Sequence, residues 1–149
     1  MTLAVGQKAP DFSAIDQQGA PISLSQFNGR KVVLYFYPKD STPGCTAQAC
    51  NLRDNHQQLV DAGYVVLGIS TDSPKRHQNF IAKNALPFAL IADEDHSVHD
   101  LYSTWQLKKF MGKEYMGTVR TSFIIDEQGT LINIINKVKT KDHSAQILL

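Results

Sequence analysis

Three runs of consecutive apolar residues stand out along the chain, each bounded by polar or turn-forming residues. They are KVVLYFY at residues 31–37, YVVLGIS at Tyr64–Ser70 and FALIA at residues 88–92. Runs of this length that are rich in β-branched and aromatic residues are typical of strands. The pattern predicts three strands, and the first two should be buried on both faces of a sheet.

Between these strands, apolar residues recur at the spacing of amphipathic helices. The first helix is predicted over residues 43–62, with Gly63 as its C-terminal stop. Phe80 and Ile81 should face inward from a second helix, over Pro74–Asn84. A short helix is predicted at residues 96–102, one helical turn at residues 25–28, and a closing helix at residues 142–149.

Turn-forming residues predict two hairpins and one further loop or ribbon. Residues 11–16 and 21–24 flank QQGA and predict an N-terminal β-hairpin. SFIIDEQGTLINII, at residues 122–135, contains two apolar stretches around an Asp-to-Gly turn and predicts a second hairpin. KKFMGKEYMG, at residues 108–117, predicts a loop or ribbon, either as a solvated connection with aromatic anchors or as a partner-docking surface.

Strands that alternate with helices, followed by a hairpin and a final helix, are typical of an α/β fold. We predict a mixed central sheet with helices on both faces and an N-terminal β-hairpin. The helix that begins at Pro43 should leave the carboxyl end of a central strand, where open α/β sheets usually place their sites. The 149 residues should form one domain over residues 1–149.

Composition narrows the range of functions. The chain is 42% hydrophobic and 19% charged, with a net charge of +1 and dispersed lysine and arginine, which argues against nucleic acid or a membrane as the principal partner. No apolar segment approaches the length of a transmembrane helix, and the first ten residues lack the apolar core of a signal peptide. A reducing cytosol is therefore the expected compartment, where a disulfide is more plausibly catalytic than structural.

The sharpest break in the pattern is YPKDSTPGCTAQAC, residues 37–50, which holds both cysteines of the chain. Pro38 ends the preceding strand. Thr42 followed by Pro43 predicts a helix start, with a hydroxyl at the N-cap and proline at a position that needs no N–H. Cys45 is then the third residue of the helix, where unpaired N–H groups and the positive end of the helix dipole favour a thiolate.

A helix start alone provides too little energy to produce a reactive thiolate. An ordinary cysteine is only a few per cent thiolate at neutral pH. Making the thiolate the major species requires roughly 2.7 kcal/mol. The helix dipole typically contributes up to about 1 kcal/mol, or about 2 kcal/mol in a partly buried site. We therefore expect a cation near Cys45 as well.

The helical repeat separates the two cysteines. Cys45 shares its inward-facing apolar stripe with Ala49, Leu52, His56 and Leu59. Cys50 falls about 140° away around the helix and roughly 7.5 Å further along it. The Cα atoms should then be about 8.6 Å apart, beyond the roughly 7 Å limit for a disulfide. The two cysteines cannot bond while the helix is intact, so a bond between them requires at least the first turn or two to unwind.

The spacing of Pro38, Thr42 and Cys45 resembles the active-site signature of the peroxiredoxins. The string TPGCTAQAC, with its second cysteine five residues after the first, is similar to the subgroup called bacterioferritin comigratory protein or peroxiredoxin Q. The likeness extends over most of the chain, through APDF, LGISTD, DEDH and RTSFIID. It implies a thioredoxin-like fold and a thiol-dependent peroxidase for hydrogen peroxide and organic hydroperoxides.

The resemblance also implies roles for five residues. Cys45 would be the peroxidatic cysteine, and Cys50 the resolving cysteine that condenses with its sulfenic acid to an intramolecular disulfide. Thr42 would orient the peroxide, Pro38 would shield the pocket, and Arg120 would supply the cation. The implied partners are peroxides and thioredoxin or a similar dithiol reductant. The protein is expected to act as a monomer without a cofactor or a metal.

Structural interpretations of the same residues remain open. Thr42 alone would be an N-cap that accepts a hydrogen bond from the first helical turn, and Arg120 alone would be a surface charge. A zinc site from Cys45, Cys50 and His56 would lack a second cysteine pair or a regular ligand spacing. Two other functions also remain: a thioredoxin-like binding or redox-sensing module with a vestigial site, and a dithiol-exchange enzyme, against which the absence of Cys-x-x-Cys argues.

Overall fold

A computed structural model describes residues 3–149. Its strands are β1 (Ser13–Asp16), β2 (Pro21–Ser23), β3 (Lys31–Phe36), β4 (Tyr64–Ser70), β5 (Ala89–Ala92), β6 (Trp105–Phe110), β7 (Lys113–Thr118), β8 (Thr121–Ile125) and β9 (Leu131–Ile135). Its helices are α1 (Pro43–Asp54), α2 (His56–Asp61), α3 (Pro74–Asn84), α4 (Ser97–Leu101) and α5 (His143–Leu148), and a 3₁₀ turn covers Ser25–Phe27. Within residues 3–149, no helix has the length and apolar character that crossing a membrane would require.

Seven strands form one mixed sheet in the order β2-β1-β5-β4-β3-β8-β9. The three predicted apolar strands, β3, β4 and β5, run parallel to one another at its centre. Strands β8 and β1 pair with them in the antiparallel sense, on opposite sides. The predicted mixed sheet with an N-terminal hairpin is confirmed, and α1 follows the carboxyl end of the central strand β3.

Strand β3 is buried on both faces, as its unbroken apolar run predicts. Side chains alternate between the faces of a sheet. One face of β3 belongs to an apolar cluster with α4 and the N-terminal hairpin, and the other belongs to a cluster with α1, α2, α3 and α5. Val33 and Tyr35 lie on this second face, beneath α1, and Tyr37 joins the same cluster just after the strand ends. Helices therefore cover both faces of the sheet, as predicted.

The prediction of one continuous helix over residues 43–62 is wrong, because the helix breaks at Asn55. The backbone of Asn55 has φ −112° and ψ 14°, and its side-chain amide donates to the carbonyl oxygen of Asn51 at 2.9 Å. Such local side-chain bonds compete with regular helical structure. His56, which follows the break, is half-buried rather than fully inward, and its ring centroid lies 6.1 Å from that of Phe88.

Strands β6 and β7 form a separate two-stranded antiparallel ribbon outside the main sheet. The segment that the sequence predicts as a loop or ribbon is therefore a ribbon. Several of its apolar side chains are exposed, including those of Phe110 and Met111. Strand β4 and helix α3 have the predicted bounds, and the other predicted elements occur with small shifts at their ends.

Candidate active site

A buried polar network holds the segment between β3 and α1. The Tyr37 hydroxyl donates to Asp40 Oδ1 at 2.5 Å, and Asp40 Oδ2 lies 2.6 Å from His77 Nδ1. The backbone N–H of Asp40 donates to Asp72 Oδ2 at 2.8 Å. Asp72 follows β4 and His77 belongs to α3, so the segment that leads into α1 is tied to both of these elements.

The side chains of Asp40, Asp72 and His77 also lie close enough together to hold a metal ion, with one ligand atom of each within 4.8 Å of the others. Their contacts are those of hydrogen-bonded groups. The separation of 2.6 Å between His77 Nδ1 and Asp40 Oδ2 is a hydrogen-bond length, and His77 Nε2 lies 2.9 Å from the carbonyl oxygen of Ile91. The three residues therefore act as a structural network that positions the start of α1.

The chain enters α1 as the sequence predicts, with Thr42 at the N-cap and Pro43 at the first helical position. The prediction that the Thr42 hydroxyl caps the helix is wrong, however. The hydroxyl donates to the carbonyl oxygen of Lys39 at 2.8 Å and accepts no hydrogen bond from an N–H of the helix. A hydroxyl has one donor hydrogen and two acceptor lone pairs, so this bond uses its donor side. Pro38 is half-buried at the start of the same segment.

Cys45 lies in the first turn of α1 and is only 2% exposed. The Arg120 guanidinium donates from Nη2 to Cys45 Sγ at 3.4 Å and from Nη1 to Gln48 Oε1 at 2.6 Å. Gln48 is also buried, and it lies three residues after Cys45 on the same helix. It therefore orients the guanidinium toward the sulfur. The expected cation stands beside Cys45, where a positive charge and a helix start both favour the thiolate.

Tyr35 lies on the sheet face beneath this site. Burial raises the pKa of Tyr35 well above its ordinary value of 10, the neighbouring acidic groups of Asp40 and Cys45 raise it further, and the positive charge of Arg120 opposes the shift. The ring stacks against that of Tyr37, with centroids 5.3 Å apart. Tyr35 is therefore a neutral part of the floor of the site, and it carries no negative charge that would compete with Cys45 for Arg120.

Cys50 is half-buried and faces α3 rather than Arg120. Its Sγ lies 3.7 Å from Oδ1 of Asn84, the last residue of α3. Helix α1 is continuous across both cysteines, and both are free thiols.

Comparison with known proteins identifies the family. Residues 5–134 match the model of the AhpC/TSA family. The chain belongs to this family. Peroxiredoxin Bcp of Bacillus subtilis (strain 168) is 47% identical over 148 residues, which cover 99% of this chain and 94% of the relative. Peroxiredoxin Bcp of Escherichia coli (strain K12) is 47% identical over 146 residues, which cover 98% of this chain and 94% of the relative.

Solved structures give the same result. A cysteine-to-serine mutant of Xanthomonas campestris peroxiredoxin Q superposes with a TM-score of 0.86 at 33% identity, over 92% of this chain and 87% of the other. A cysteine-to-serine mutant of Xylella fastidiosa PrxQ superposes with a TM-score of 0.92 at 26% identity, over 99% of this chain and 94% of the other. The thioredoxin-like fold is confirmed. The chain is a peroxiredoxin, an enzyme of the thiol peroxidase class that uses peroxides and a thiol reductant.

In this peroxiredoxin the C-terminal helix α5 is attached to α1 directly beside Cys50. The side-chain amide of Asn51 donates from Nδ2 to the carbonyl oxygen of Lys141 at 3.1 Å. Its Oδ1 accepts from the backbone N–H of Ser144 at 2.8 Å. A single side chain of α1 thus satisfies two backbone groups at the start of α5, so movement of α1 at this position affects both helices.

His143 secures the same helix to the sheet. Its Nε2 lies 2.7 Å from the Ser122 hydroxyl on β8, and its Nδ1 lies 2.8 Å from Gln146 Oε1. Burial lowers the pKa of His143 below its ordinary value of 6.5; the hydrogen bond to Gln146 opposes this shift, and the positive charge of Arg120 adds to it. The ring is therefore held neutral at neutral pH.

Sequence reasoning identified the residues around Cys45 but missed the network beneath them. The structure brings Arg120 to Cys45, places Thr42 and Pro38 in the segment that enters α1, and sets Cys50 apart on the α3 side. The network of Asp40, Asp72 and His77 was not predicted. One signal was available, since Asp40 and Asp72 follow the carboxyl ends of neighbouring parallel strands, and those ends meet at one edge of the sheet.

Proposed function

We propose that Cys45 is the peroxidatic cysteine, that Cys50 is the resolving cysteine, and that thioredoxin or a similar dithiol protein reduces their disulfide. The observation that carries this proposal is the 3.4 Å contact between Arg120 Nη2 and the buried Sγ of Cys45 at the start of α1. The Xanthomonas campestris bacterioferritin comigratory protein, 32% identical with a TM-score of 0.86, has alkyl peroxide reduction activity. We accordingly propose hydrogen peroxide and organic hydroperoxides as substrates.

In the first step, the Cys45 thiolate attacks the distal oxygen of the peroxide. The S–O bond forms as the O–O bond breaks, so sulfur is oxidised to sulfenic acid while the peroxide is reduced. The leaving oxygen takes a proton and departs as water or an alcohol. Arg120 holds positive charge beside the reacting sulfur, and its bond to Gln48 keeps it there. Thr42 orients the peroxide with its hydroxyl, and Pro38 shields the pocket.

In the second step, Cys50 attacks the sulfenic sulfur of Cys45. The S–S bond forms, the S–O bond breaks, and the hydroxyl leaves with a proton as water. Because the helical geometry keeps the two sulfur atoms apart, at least the first turn or two of α1 unwinds before this step. Both thiols belong to one helix of one chain, so a single-domain monomer is sufficient for the whole cycle.

In the third step, a dithiol protein attacks the disulfide, forms a mixed disulfide and then releases both thiols of the peroxiredoxin. A disulfide that forms and is reduced in every cycle needs a reducing compartment. We therefore propose a cytosolic location, which cell fractionation with an antibody to the protein tests.

The test of the function is peroxide-dependent NADPH oxidation in a mixture with thioredoxin and thioredoxin reductase. Wild type should turn over, and Cys45→Ser should not. Cys50→Ser should reduce peroxide once without forming the intramolecular disulfide. Turnover that survives in Cys45→Ser would refute the assignment of the nucleophile. If folded, reduced wild type does not turn over, a single-turnover peroxide titration distinguishes a different reductant from a non-catalytic module.

A further inference from the structure

The amide of Asn84 is oriented so that its oxygen faces the Cys50 thiol. Asn84 Nδ2 donates to the carbonyl oxygen of Phe80 at 3.1 Å, which leaves Oδ1 turned toward Cys50 Sγ at 3.7 Å. The backbone carbonyl oxygen of Asn84 accepts separately from Arg53 Nη1 at 2.8 Å. The end of α3 is therefore fixed against α1 by its backbone, while the side chain of Asn84 is left to bind the thiol.

This contact selects one protonation state of Cys50. An amide oxygen only accepts hydrogen bonds, so the contact requires an S–H donor and is lost with a thiolate. The surroundings of Cys45 are opposite, because the Arg120 guanidinium only donates. Two thiols on one helix thus face partners of opposite hydrogen-bonding character.

We propose that Asn84 is a positioning residue for disulfide formation, which holds Cys50 as a neutral thiol on the α3 side of α1 until α1 unwinds. This role rests on the proposed function, in which Cys50 resolves the sulfenic acid of Cys45. On unwinding, the S–H leaves Asn84 and loses its proton to solvent, and the resulting thiolate attacks the sulfur of Cys45. The S–S bond forms, the S–O bond breaks, and the leaving hydroxide takes up a proton from solvent to depart as water. Asn84 therefore slows disulfide formation and also protects Cys50 from direct oxidation.

The first test measures both steps in Asn84→Ala after rapid mixing with one equivalent of hydrogen peroxide. Samples are quenched with an alkylating reagent at successive times, and intact mass separates sulfenic acid, disulfide and free thiols. Disulfide formation should be about twofold to tenfold faster than in wild type, because one hydrogen bond no longer has to break. The rate of the peroxide step should be unchanged.

Two variants control for effects on folding. Asn79→Ala removes an exposed asparagine from the same helix and should change neither rate. Asn84→Asp keeps an oxygen acceptor at the same position and should not accelerate disulfide formation. Circular dichroism establishes that each variant is folded. If disulfide formation in Asn84→Ala is unchanged or slower, or if both steps slow together, the proposal is wrong.

The second test does not depend on the proposed function. In the Cys45→Ser background, Cys50 is the remaining thiol, and its alkylation rate can be measured without any peroxide. Adding Asn84→Ala should raise that rate about twofold to tenfold, whereas adding Asn79→Ala should not. If wild type forms no disulfide with peroxide, the proposed function fails, and the alkylation rates alone then decide whether Asn84 restrains the thiol. Equal rates in the two double variants would overturn the proposal.

Discussion

Cys45 and Cys50 lie five residues apart on one helix, yet their surroundings differ in almost every respect. Cys45 is 2% exposed, packs in an apolar cluster and contacts a guanidinium. Cys50 is half-buried and contacts a neutral amide oxygen. The helical repeat of about 100° per residue produces this difference, because five residues carry the second thiol to another side of α1.

The comparison shows that the fold divides one helix into two chemical environments. On the Cys45 side, the segment that leads into α1 is fixed by the buried network of Asp40, Asp72 and His77. On the Cys50 side, the restraints include the long sulfur contact with Asn84, the bond from Arg53 to the Asn84 carbonyl oxygen, and the two bonds of Asn51 to the start of α5. In the proposed cycle, Cys45 stays beside Arg120 for the peroxide step, and Cys50 leaves Asn84 when the first turns of α1 unwind.

The largest expected effect comes from replacing each cysteine in turn. Cys45→Ser should lower the rate of peroxide reduction by more than about a thousandfold, because the nucleophile is lost. Cys50→Ser should leave the rate constant of the first peroxide reduction within about twofold of wild type, because its sulfur makes no contact with Arg120. Stopped-flow kinetics with hydrogen peroxide measure both. If the rate constant for peroxide reduction falls equally in the two variants, the two thiols do not have the different roles proposed for them.

Arg120→Ala should lower the rate constant of the peroxide step by about tenfold to a hundredfold, because a hydrogen bond to a charged group is lost beside the sulfur. Alkylation of Cys50 should be unaffected. Arg30→Ala removes an exposed arginine and serves as the matched control. A loss in Arg120→Ala no greater than that in Arg30→Ala would show that the contact at 3.4 Å has no part in catalysis.

Gln48→Ala should have a smaller effect on the same step, about tenfold or less, because the charge remains and only its orientation is relaxed. Gln58→Ala, an exposed glutamine on α2, is the control. The two variants are compared by the rate constant with hydrogen peroxide and by the free energy of unfolding. If Gln48→Ala lowers stability but leaves the rate constant unchanged, Gln48 supports the helix and does not orient Arg120.

The smallest expected effect is on the pH dependence of the unfolding free energy, through His143 of α5. The pKa of folded His143 is lowered below 6.5, so its stabilising contribution is complete above about pH 6.5 and is lost as the pH falls through the lowered value. The unfolding free energy should fall between about pH 7.5 and about pH 5.5 in both proteins. The fall should be smaller in His143→Gln than in wild type, by up to about 1 kcal/mol.

Urea unfolding at the two pH values measures this decline. His96→Gln replaces a histidine whose side chain is 40% exposed and is the control variant. If His143→Gln shows the same decline as wild type, burial of this ring does not couple pH to the attachment of α5.

The parts of the structure that depend on local sequence were predictable. Strand β4 and helix α3 have the predicted bounds, because an unbroken apolar run and a Ser-Pro start define them locally. The start of α1 was predictable for the same reason. The break at Asn55 was missed because one side-chain bond to Asn51 competes with an otherwise helical pattern.

Contacts between distant residues were not predictable from pattern. Asp40 and His77 are 37 positions apart, and Cys50 and Asn84 are 34 apart, so neither pair shares a local motif. Arg120 was named only because the chain resembles a known family, since nothing in its own neighbourhood distinguishes it from the other arginines. The fold determines which of them reaches Cys45.

The most direct test of the account is the mass of the intact protein after rapid mixing with one equivalent of hydrogen peroxide, for wild type, Cys45→Ser and Cys50→Ser. We expect wild type to lose two hydrogen atoms as the disulfide forms, Cys50→Ser to gain one oxygen atom on Cys45, and Cys45→Ser to remain unchanged over the same interval. Oxidation of Cys45→Ser at the rate of wild type would contradict the account, because it would mean that Cys50 reacts with peroxide without Arg120.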